Sequence, residues 1–363
     1  MEPLGQERCW AEIDLAALRA NARLTRECSG AELLAVVKAN AYGHGMIEVA
    51  QALREEAQLF GVANLHEAHA LRVSGVAQPI LIMGPALPEE RAAIRTEGFI
   101  PAVSTFAEAR EFAGGAPGIN FKIDTGMGRM GCWHEEALGE LRKIVALSGL
   151  NLHSISTHLP VADEDETFTE KELASFEALV RQIRQEIPGA YKVHVLLSAG
   201  ILGFSTHRFD IVRAGLMLYG SSPLPRAQEL LRPVMALKTH IALLRDLPAG
   251  RSVSYGRTFT TSRPLRVATI SAGYADGYPR SLSGRDAAVL VGGKRCPVLG
   301  RVTMDLTMVD VSAVPNAQVG DEVVLIGRQG DEEIFAAEVA DRAGTIAWEI
   351  FTGIGSRVRR VYL

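Results

Sequence analysis

The strongest constraint on the fold of this chain is a regular alternation of short apolar runs with helical stretches. Eight runs rich in β-branched and other apolar residues begin at residues 33, 59, 79, 100, 119, 152, 192 and 211. Amphipathic stretches rich in alanine, glutamate and arginine fill the gaps, most clearly at residues 170–184. Strands that alternate with helices predict βαβ units and a parallel sheet. Eight units over about 200 residues fit a closed (β/α)8 barrel of the TIM type. An open, doubly wound sheet remains the alternative, because strand order cannot be read from the sequence.

The pattern changes after the segment SSPLPR at residues 221–226, which is typical of a linker. Beyond it, apolar runs joined by glycine-rich turns predict antiparallel strands near residues 238, 266, 287, 304 and 321, with a closing strand near 357. One late helix is predicted at residues 333–343, and residues 13–24 predict an amphipathic helix before the first barrel strand.

The fold class is therefore α/β, with a (β/α)8 barrel followed by a mostly β C-terminal domain. We expect residues 1–12 to form an N-terminal strand that packs with the C-terminal domain, residues 13–227 to form the barrel, and residues 228–363 to form the β domain. A length of 363 residues suits two such domains.

Composition excludes several classes of function. A net charge of −4 gives no electrostatic footprint for nucleic acid. No run of about 18 apolar residues predicts a membrane span, and the N-terminus lacks the apolar core of a signal peptide. The four cysteines are scattered without metal-ligand spacing, so we expect reduced thiols, a cytoplasmic location and no metal.

Polar residues cluster where the barrel strands end, which is where barrel active sites lie. Lys38 ends the first strand, Asp124 the fifth, His158 the sixth and Ser198 the seventh, while Arg213 lies in the eighth. Each has an ordinary structural explanation on its own, such as a solvated lysine or a helix-capping serine. Arg213 is the hardest to explain in that way, because a buried guanidinium keeps its charge and demands acceptors. Their common location indicates a site.

The residue types suggest one chemistry for that site. A lysine amine in a partly dry pocket forms Schiff bases with carbonyl compounds, including pyridoxal phosphate. Barrels commonly bind phosphate near strands seven and eight, where Ser198 and Gly215 lie, and Arg213 could face the pyridine nitrogen. In the β domain, Tyr255 precedes a glycine in the segment SYGRTF. A phenol has a pKa near 10, so Tyr255 would need nearby cations to act as a base near neutral pH.

At this point the chain resembles the alanine racemases, which are fold-type III pyridoxal-phosphate enzymes. The segment AVVKANAYGHG at residues 35–45 resembles that family's cofactor-lysine motif. Further segments resemble the family in order along the chain: WAEIDL (10–15), KIDTGMGRMG (122–131), STHLPVADED (156–165), VRAGLMLYG (212–220), SYGRTF (254–259), SAGYADGYPR (271–280) and GRVTMD (300–305).

The resemblance implies pyridoxal 5'-phosphate as cofactor and a role for each matching residue. Lys38 would hold the cofactor as a Schiff base and act as one acid/base, and Tyr255 would be the base on the opposite face. The cofactor phosphate would be bound by Tyr42 and Ser198 and by the backbone amides of Gly215 and Leu216. Arg213 would bind the pyridine nitrogen, and His158 would stack against the ring. The implied substrate contacts are Arg129, Met304 and Asp305, with Tyr274 narrowing the entrance. The family's lysine at the position of Lys122 is often carbamylated and orients the arginine.

The resemblance also implies a homodimer with active sites shared between subunits, so that Tyr255 reaches the Lys38 of the other chain. The expected reaction is the interconversion of L-alanine and D-alanine, with D-alanine supplied for peptidoglycan. One departure bears on the substrate. Many family members have a tyrosine just before the last strand, where this chain has Gly355 and Ser356 in the segment TGIGSRVRR. The missing phenol could enlarge the pocket, so an alanine/serine racemase of broader specificity is one alternative.

Three different classes of protein would share part of this pattern. A fold-type III decarboxylase would usually place an acidic partner, not Arg213, at the ring nitrogen. A cofactor carrier made of this barrel alone would lack the last 130 or so residues. A sugar-phosphate barrel enzyme could use Lys38 as a Schiff-base amine without pyridoxal phosphate.

Overall fold

The computed structural model describes residues 7–114, 117–204 and 209–363. These divide into two compact units. The barrel unit comprises Leu18–Ala41 and Met46–Leu231, and the β unit comprises Met1–Ala17, Tyr42–Gly45 and Arg232–Leu363. Residues 1–6 of the predicted N-terminal strand segment lie outside the described residues.

The first helix begins two residues later than the sequence predicts. Ile13, which we expected to begin the helix, is the last residue of strand β1 (Cys9–Ile13), and helix α1 runs over Leu15–Ser29. Asp14 separates them, and its carboxylate accepts the N–H of Ala17 at 2.8 Å. This bond satisfies one of the free N–H groups of the first helical turn, so Asp14 and not Ile13 sets the start of α1.

The barrel unit contains a closed ring of eight parallel strands. The ring strands are β2 (Glu32–Val36), β3 (Leu59–Val62), β4 (Ile80–Pro85), β5 (Ile100–Val103), β6 (Ile119–Asp124), β8 (Leu152–Ser156), β9 (Lys192–His194) and β10 (Ile211–Ala214), with the short β7 (Cys132–Trp133) paired beside β6. Neighbouring strands pair in order around the ring, β2 pairs with β10, and β5 pairs with β6. The predicted (β/α)8 barrel is therefore confirmed, and the open doubly wound sheet is wrong.

Helices follow the barrel strands. They are α2 (Met46–Ala52), α3 (Leu65–Val73), α4 (Arg91–Glu97), α5 (Phe106–Arg110), α6 (Ala137–Val145), α7 (Glu166–Glu186) and α8 (Ser198–Gly203). Several begin at a capping side chain: Asn64, Thr105 and Asp165 accept the N–H three residues on. Such caps fix where each helix leaves its strand, and therefore where the strand-end loops point.

The β unit is built on the long strand β11 (Met235–Leu247). The other strands are β12 (Ser252–Val253), β13 (Phe259–Thr260), β14 (Leu265–Ile270), β15 (Ala288–Val291), β16 (Lys294–Leu299), β17 (Thr307–Asp310), β18 (Glu322–Gln329), β19 (Glu332–Ile334) and β20 (Arg359–Tyr362). Strand β11 pairs with β14 through its second half and with β18 through its first half, which closes six antiparallel strands into a ring. Strand β1 pairs antiparallel with β11 and parallel with β20.

The mostly β character of this domain is confirmed, but its details exceed the prediction. Four strands (β12, β13, β16 and β19) and helix α10 (Ala347–Thr352) were not predicted, whereas helix α9 (Ala336–Ala343) was. Met304, which we expected to begin a strand, lies in a turn that precedes β17. Within the described ranges, no helix is both long enough and apolar enough to cross a membrane.

Candidate active site

Lys38 follows β2 at the carboxyl end of the barrel ring, where the chain turns sharply. Its side chain is half-buried, and the N–H of Val37 donates to Gly61 O at 2.9 Å as the last link to β3. The next four residues, 39–42, all have positive φ, between 52° and 54°. Left-handed backbone costs a non-glycine residue roughly 1–2 kcal/mol. A run of four such residues therefore needs support from contacts outside the turn.

Two side chains support this left-handed turn within the barrel unit. Glu67 Oε1 accepts the N–H of Ala39 at 2.7 Å, and Asn40 Oδ1 accepts the N–H of Met46 at 2.9 Å. The sequence analysis did not predict a role for either. A glutamate three residues after the helix-capping Asn64 was the available signal.

The surroundings of Lys38 favour its uncharged amine. Burial lowers the pKa of Lys38 below its ordinary value, the Arg129 guanidinium lowers it further, and the Glu67 carboxylate opposes both. A lysine with a depressed pKa presents more free amine near neutral pH, which is the form that attacks carbonyl carbon.

The Arg213 side chain is buried inside the barrel. Its side chain is 3% exposed, and its two terminal nitrogens donate to the carbonyl oxygens of Thr157 (2.8 Å), His194 (2.9 Å) and Val195 (2.6 Å). Burial and the nearby Arg129 lower the pKa of Arg213 to about 9. The guanidinium therefore stays charged at neutral pH, and the carbonyl cage explains how β10 tolerates it.

Two histidines beside Arg213 stay neutral. Arg213 Nη1 lies 2.9 Å from His194 Nδ1, and Arg213 Nη2 lies 3.3 Å from His158 Nδ1. Burial, together with Arg213, lowers the pKa of His158 to about 2 and that of His194 well below its ordinary value. Since His194 Nδ1 accepts from Arg213, its Nε2 carries the proton and donates to Ser154 Oγ at 3.2 Å. His194 was not predicted from the sequence. The available signal was a histidine in a buried strand next to the strand that carries Arg213.

Strand β6 and the loop after it contribute Lys122 and Arg129. Loss of hydration lowers the pKa of Lys122 well below its ordinary value, and the guanidinium groups of Arg213 and Arg129 lower it more than Asp124 restores it. Asp124 Oδ1 accepts the N–H groups of Gly126 (2.9 Å) and Gly128 (3.1 Å), which folds the loop back toward the strand end. Arg129 is exposed at the tip of this loop.

Ser198 is the first residue of α8. Its hydroxyl oxygen accepts the N–H groups of Gly215 and Met217, both at 3.2 Å. Leu216 lies between them and is buried. A serine hydroxyl that accepts two N–H groups still has its own hydrogen to donate. Elsewhere in the barrel unit, Lys38 interacts with Arg129, and Lys122 interacts with both Arg129 and Arg213. The two guanidinium groups suit an anionic ligand.

Tyr42 is the last residue of the left-handed turn and belongs to the β unit by contacts. It is buried, and burial raises its pKa to about 12, so the phenol stays protonated and can donate. The C=O of the next residue, Gly43, accepts from Arg360 Nε at 2.9 Å.

In the β unit, the other predicted residues share one surface. Tyr255 is 71% exposed, Met304 53% and Tyr274 41%. The N–H of Tyr274 donates to Thr303 O, and the N–H of Ala275 donates to Met304 O, both at 3.0 Å. These bonds place Tyr274 beside Met304. The Ser254 hydroxyl, just before Tyr255, donates to Arg301 O at 2.6 Å, which brings the Tyr255 turn to the same segment.

Asp305 and the last turn of the chain meet through Arg357. This guanidinium donates to Asp305 Oδ1 at 2.9 Å and pairs with Asp276 Oδ1 at 2.9 Å. Ser356, where many alanine racemases carry a tyrosine, is exposed. A Cβ atom built at Gly355 would meet only Ala275 O, at 3.9 Å.

A parallel barrel with a strand-end lysine, a caged arginine and a following β domain defines a class of pyridoxal-phosphate-dependent isomerases. The family model "Alanine racemase, N-terminal domain" matches residues 13–223, and "Alanine racemase, C-terminal domain" matches residues 234–362. The chain belongs to the alanine racemase family, as the resemblance in its motifs implied.

Relatives that align with nearly the whole of this chain are alanine racemases as well. The chain is 41% identical to alanine racemase of Methylacidiphilum infernorum, over 98% of this chain and 92% of that protein. Its fold matches the crystal structure of alanine racemase from Streptomyces lavendulae with a TM-score of 0.90, at 38% identity over 99% of this chain and 98% of that one. It also matches alanine racemase from Bartonella henselae with covalently bound pyridoxal phosphate, with a TM-score of 0.88 and 30% identity over 99% and 100% of the two chains.

Proposed function

We propose that this protein interconverts L-alanine and D-alanine with pyridoxal 5'-phosphate bound to Lys38. The observation that carries the proposal is Lys38 itself: a half-buried amine of depressed pKa at a barrel strand end, beside Arg129. The residues fit the coenzyme. The Lys38 amine can condense with its aldehyde. The Ser198 hydroxyl, the Leu216 amide and the Tyr42 phenol would bind its phosphate, and the neutral His158 ring would stack on its ring. When bound, the coenzyme supplies an electron sink that acidifies the α-proton of an amino acid.

Two groups on opposite faces of the α-carbon would move the proton. Lys38 Nζ takes or returns it on one face, and the phenol of Tyr255 of the partner subunit does so on the other. Two bases allow inversion without turning the substrate over. The exposure of Tyr255, at 71%, supports a role that another subunit completes, because a large aromatic side chain gains from being covered.

Arg129 would bind the substrate carboxylate, since a guanidinium forms two parallel hydrogen bonds to that group. Met304, Asp305 and the narrowing side chain Tyr274 would bound the substrate end of the site. We further propose that Lys122 is carbamylated: its depressed pKa leaves a free amine that can take up carbon dioxide, and the resulting anion would pair with Arg129.

Arg213 would select racemisation over competing reactions. Its terminal nitrogens are engaged by carbonyl oxygens, and we assign its Nε–H to the pyridine nitrogen. A guanidinium donates this hydrogen bond without giving up its proton, whereas an acidic partner would leave the ring more electron-withdrawing. This argues against the decarboxylase alternative, which needs the acidic partner.

The wider role that we propose is supply of D-alanine for peptidoglycan in the cytoplasm, by a homodimer. Cys9, Cys28, Cys132 and Cys296 are free thiols, which supports a reducing compartment.

The test follows enantiomer interconversion in three preparations. Lys38→Ala should lose coenzyme absorbance and at least about 10⁴-fold in activity, because the carrier and one base are removed together. The matched control is Lys143→Ala, an exposed lysine on α6, which should remain fully active. An unaltered protein that takes up no coenzyme and leaves enantiomer ratios unchanged would refute the function.

The shared site is tested by mixing two inactive variants. If Lys38 and Tyr255 act across subunits, exchange between Lys38→Ala and Tyr255→Phe dimers creates heterodimers with one intact site. Random exchange should restore about a quarter of the unaltered activity, since half the dimers carry one intact site of two. No recovery after proven exchange would place both bases in one chain.

A further inference from the structure

Two helices of the barrel unit begin in the same way. Helix α3 follows β3 and starts with the segment ANLHEA at residues 63–68, and helix α5 follows β5 and starts with STFAEA at residues 104–109. In both, the capping side chain accepts the N–H of the glutamate: Asn64 from Glu67 at 3.0 Å, and Thr105 from Glu108 at 3.2 Å.

The two glutamates also share a second contact. Glu67 Oε2 accepts the N–H of Ala63 at 2.8 Å, and Glu108 Oε2 accepts the N–H of Ser104 at 2.6 Å. Both glutamates are half-buried. As capping residues they are equivalent, and capping alone explains neither more than the other.

One bond distinguishes them. The second oxygen of Glu67 accepts the N–H of Ala39, the residue after Lys38, at 2.7 Å. Ala39 is the first of four residues with left-handed backbone. Glu67 therefore joins the strained turn after β2 to the end of the neighbouring strand β3, with one carboxylate bridging two backbone N–H groups.

We propose that Glu67 is a positioning residue for Lys38: it anchors the left-handed turn that aims the lysine, and it places a carboxylate beside the amine. This inference rests on the proposed role of Lys38 as the coenzyme carrier. Charge-assisted hydrogen bonds to N–H groups are strong enough to hold backbone that its own preferences disfavour. Among the described residues, the charged or titratable groups that interact with the Lys38 amine are Arg129, Glu67 and His158.

The substitution Glu67→Gln isolates this role. A carboxamide keeps the size of the side chain but has one acceptor oxygen, so one of the two N–H groups would face an NH₂ donor. Glu108→Gln is the matched control, because it disturbs an equivalent cap without a link to Lys38. Both variants should lose similar thermal stability from the cap itself.

The readout is occupancy of Lys38, not turnover. The full-length chain is freed of coenzyme with hydroxylamine and titrated with pyridoxal phosphate; borohydride then fixes the adduct, and mass spectrometry quantifies the Lys38 peptide. For Glu67→Gln we expect half-labelling to need about tenfold more coenzyme. We also expect the pH midpoint of labelling to fall by about half a unit to one unit, because the carboxylate that favours the ammonium is gone. Glu108→Gln should match the unaltered protein in both respects. Equal behaviour of the two variants would overturn the proposal.

A measurement on the unaltered protein covers the case in which Glu67→Gln does not fold or Lys38 binds no coenzyme. Ala39 is exposed, yet its amide should exchange with deuterium at least about tenfold more slowly than an unstructured amide, because Glu67 holds it. Exchange at the unprotected rate would overturn the proposal whatever the fate of the racemase function. Protection together with a Lys38 that never labels would refute only the coenzyme role.

Discussion

The site residues of the barrel unit and those of the β unit differ in how far contacts within one chain bury them and satisfy their hydrogen bonds. In the barrel unit, Arg213 is caged by three carbonyl oxygens and a histidine, and Ser198 accepts two backbone N–H groups. In the β unit, Tyr255, Tyr274 and Met304 are large side chains that stand exposed. Ser254 and Arg257, on either side of the Tyr255 turn, take positive φ of 64° and 49°. The contrast shows that folding of one chain buries Arg213 and Ser198 and satisfies their hydrogen bonds, whereas the β group keeps large exposed side chains that the proposed homodimer would cover.

The sharpest way to break this comparison is Tyr255→Phe. If the phenol is the second base, racemisation should fall by about 10²–10³-fold, and more in one direction than in the other. Because Tyr255 is exposed, the free energy of unfolding should change by no more than about 0.5 kcal/mol. Initial rates from each enantiomer and urea denaturation measure the two effects. Normal racemisation in this variant would remove Tyr255 from the mechanism.

For Arg213→Lys in the barrel unit we expect a large loss of stability, in contrast to Tyr255→Phe. An ammonium has three hydrogens and cannot fork to the oxygens of Thr157, His194 and Val195, so buried acceptors would lose their donors. We expect the free energy of unfolding to fall by about 3 kcal/mol. Arg142→Lys, at an exposed ion pair with Glu186, is the control and should change it by less than about 0.5 kcal/mol. Equal stability of the two variants would show that the carbonyl cage contributes little.

Acid should also act on the barrel group. The folded pKa of His158 is about 2, far below the value near 6.5 expected in the unfolded chain. The unfolded chain therefore binds an extra proton as the pH falls below about 6.5, and this histidine costs about 1.4 kcal/mol of stability per pH unit. His158→Gln should reduce the slope of unfolding free energy against pH by that amount between about pH 6 and 4. An unchanged slope in His158→Gln would mean that His158 is protonated in the folded protein.

The smallest effect concerns the turn that lacks a phenol. Ser356→Tyr should add a side chain to open space, so stability should stay within about 0.5 kcal/mol. If the missing tyrosine widens the substrate pocket, the ratio of alanine to serine turnover should rise by roughly tenfold, which is the scale set by small pocket changes. Side-by-side turnover of the two amino acids measures it. Absence of any serine signal in the unaltered protein would remove the hypothesis of broader specificity.

Much of the barrel was predictable because its determinants are local. The eight apolar runs lie on the eight ring strands, since a fully buried parallel strand needs a continuous apolar segment. The start of α1 was misplaced by two residues because Ile13 continues an apolar pattern that both a strand and a helix can use, and only the Asp14 cap separates them. In the β domain, β16 and β19 were missed because β16 carries charged residues and a proline, and β19 has three residues.

The sequence by itself determined the alternation of eight strands with helices, the family resemblance and the lysine at the end of the first barrel strand, because hydrophobic periodicity and local motifs are written along the chain. Closure of the eight strands into a ring was decided by the tertiary structure. Only the tertiary structure decided that Glu67 accepts a hydrogen bond from Ala39 and that His194 accepts one from Arg213. It also decided that residues 39–42 have a left-handed backbone. The partners in the first two pairs lie 28 and 19 positions apart. Pairing of β2 with β3 and of β9 with β10 brings them together, and no local pattern encodes which side chains meet there.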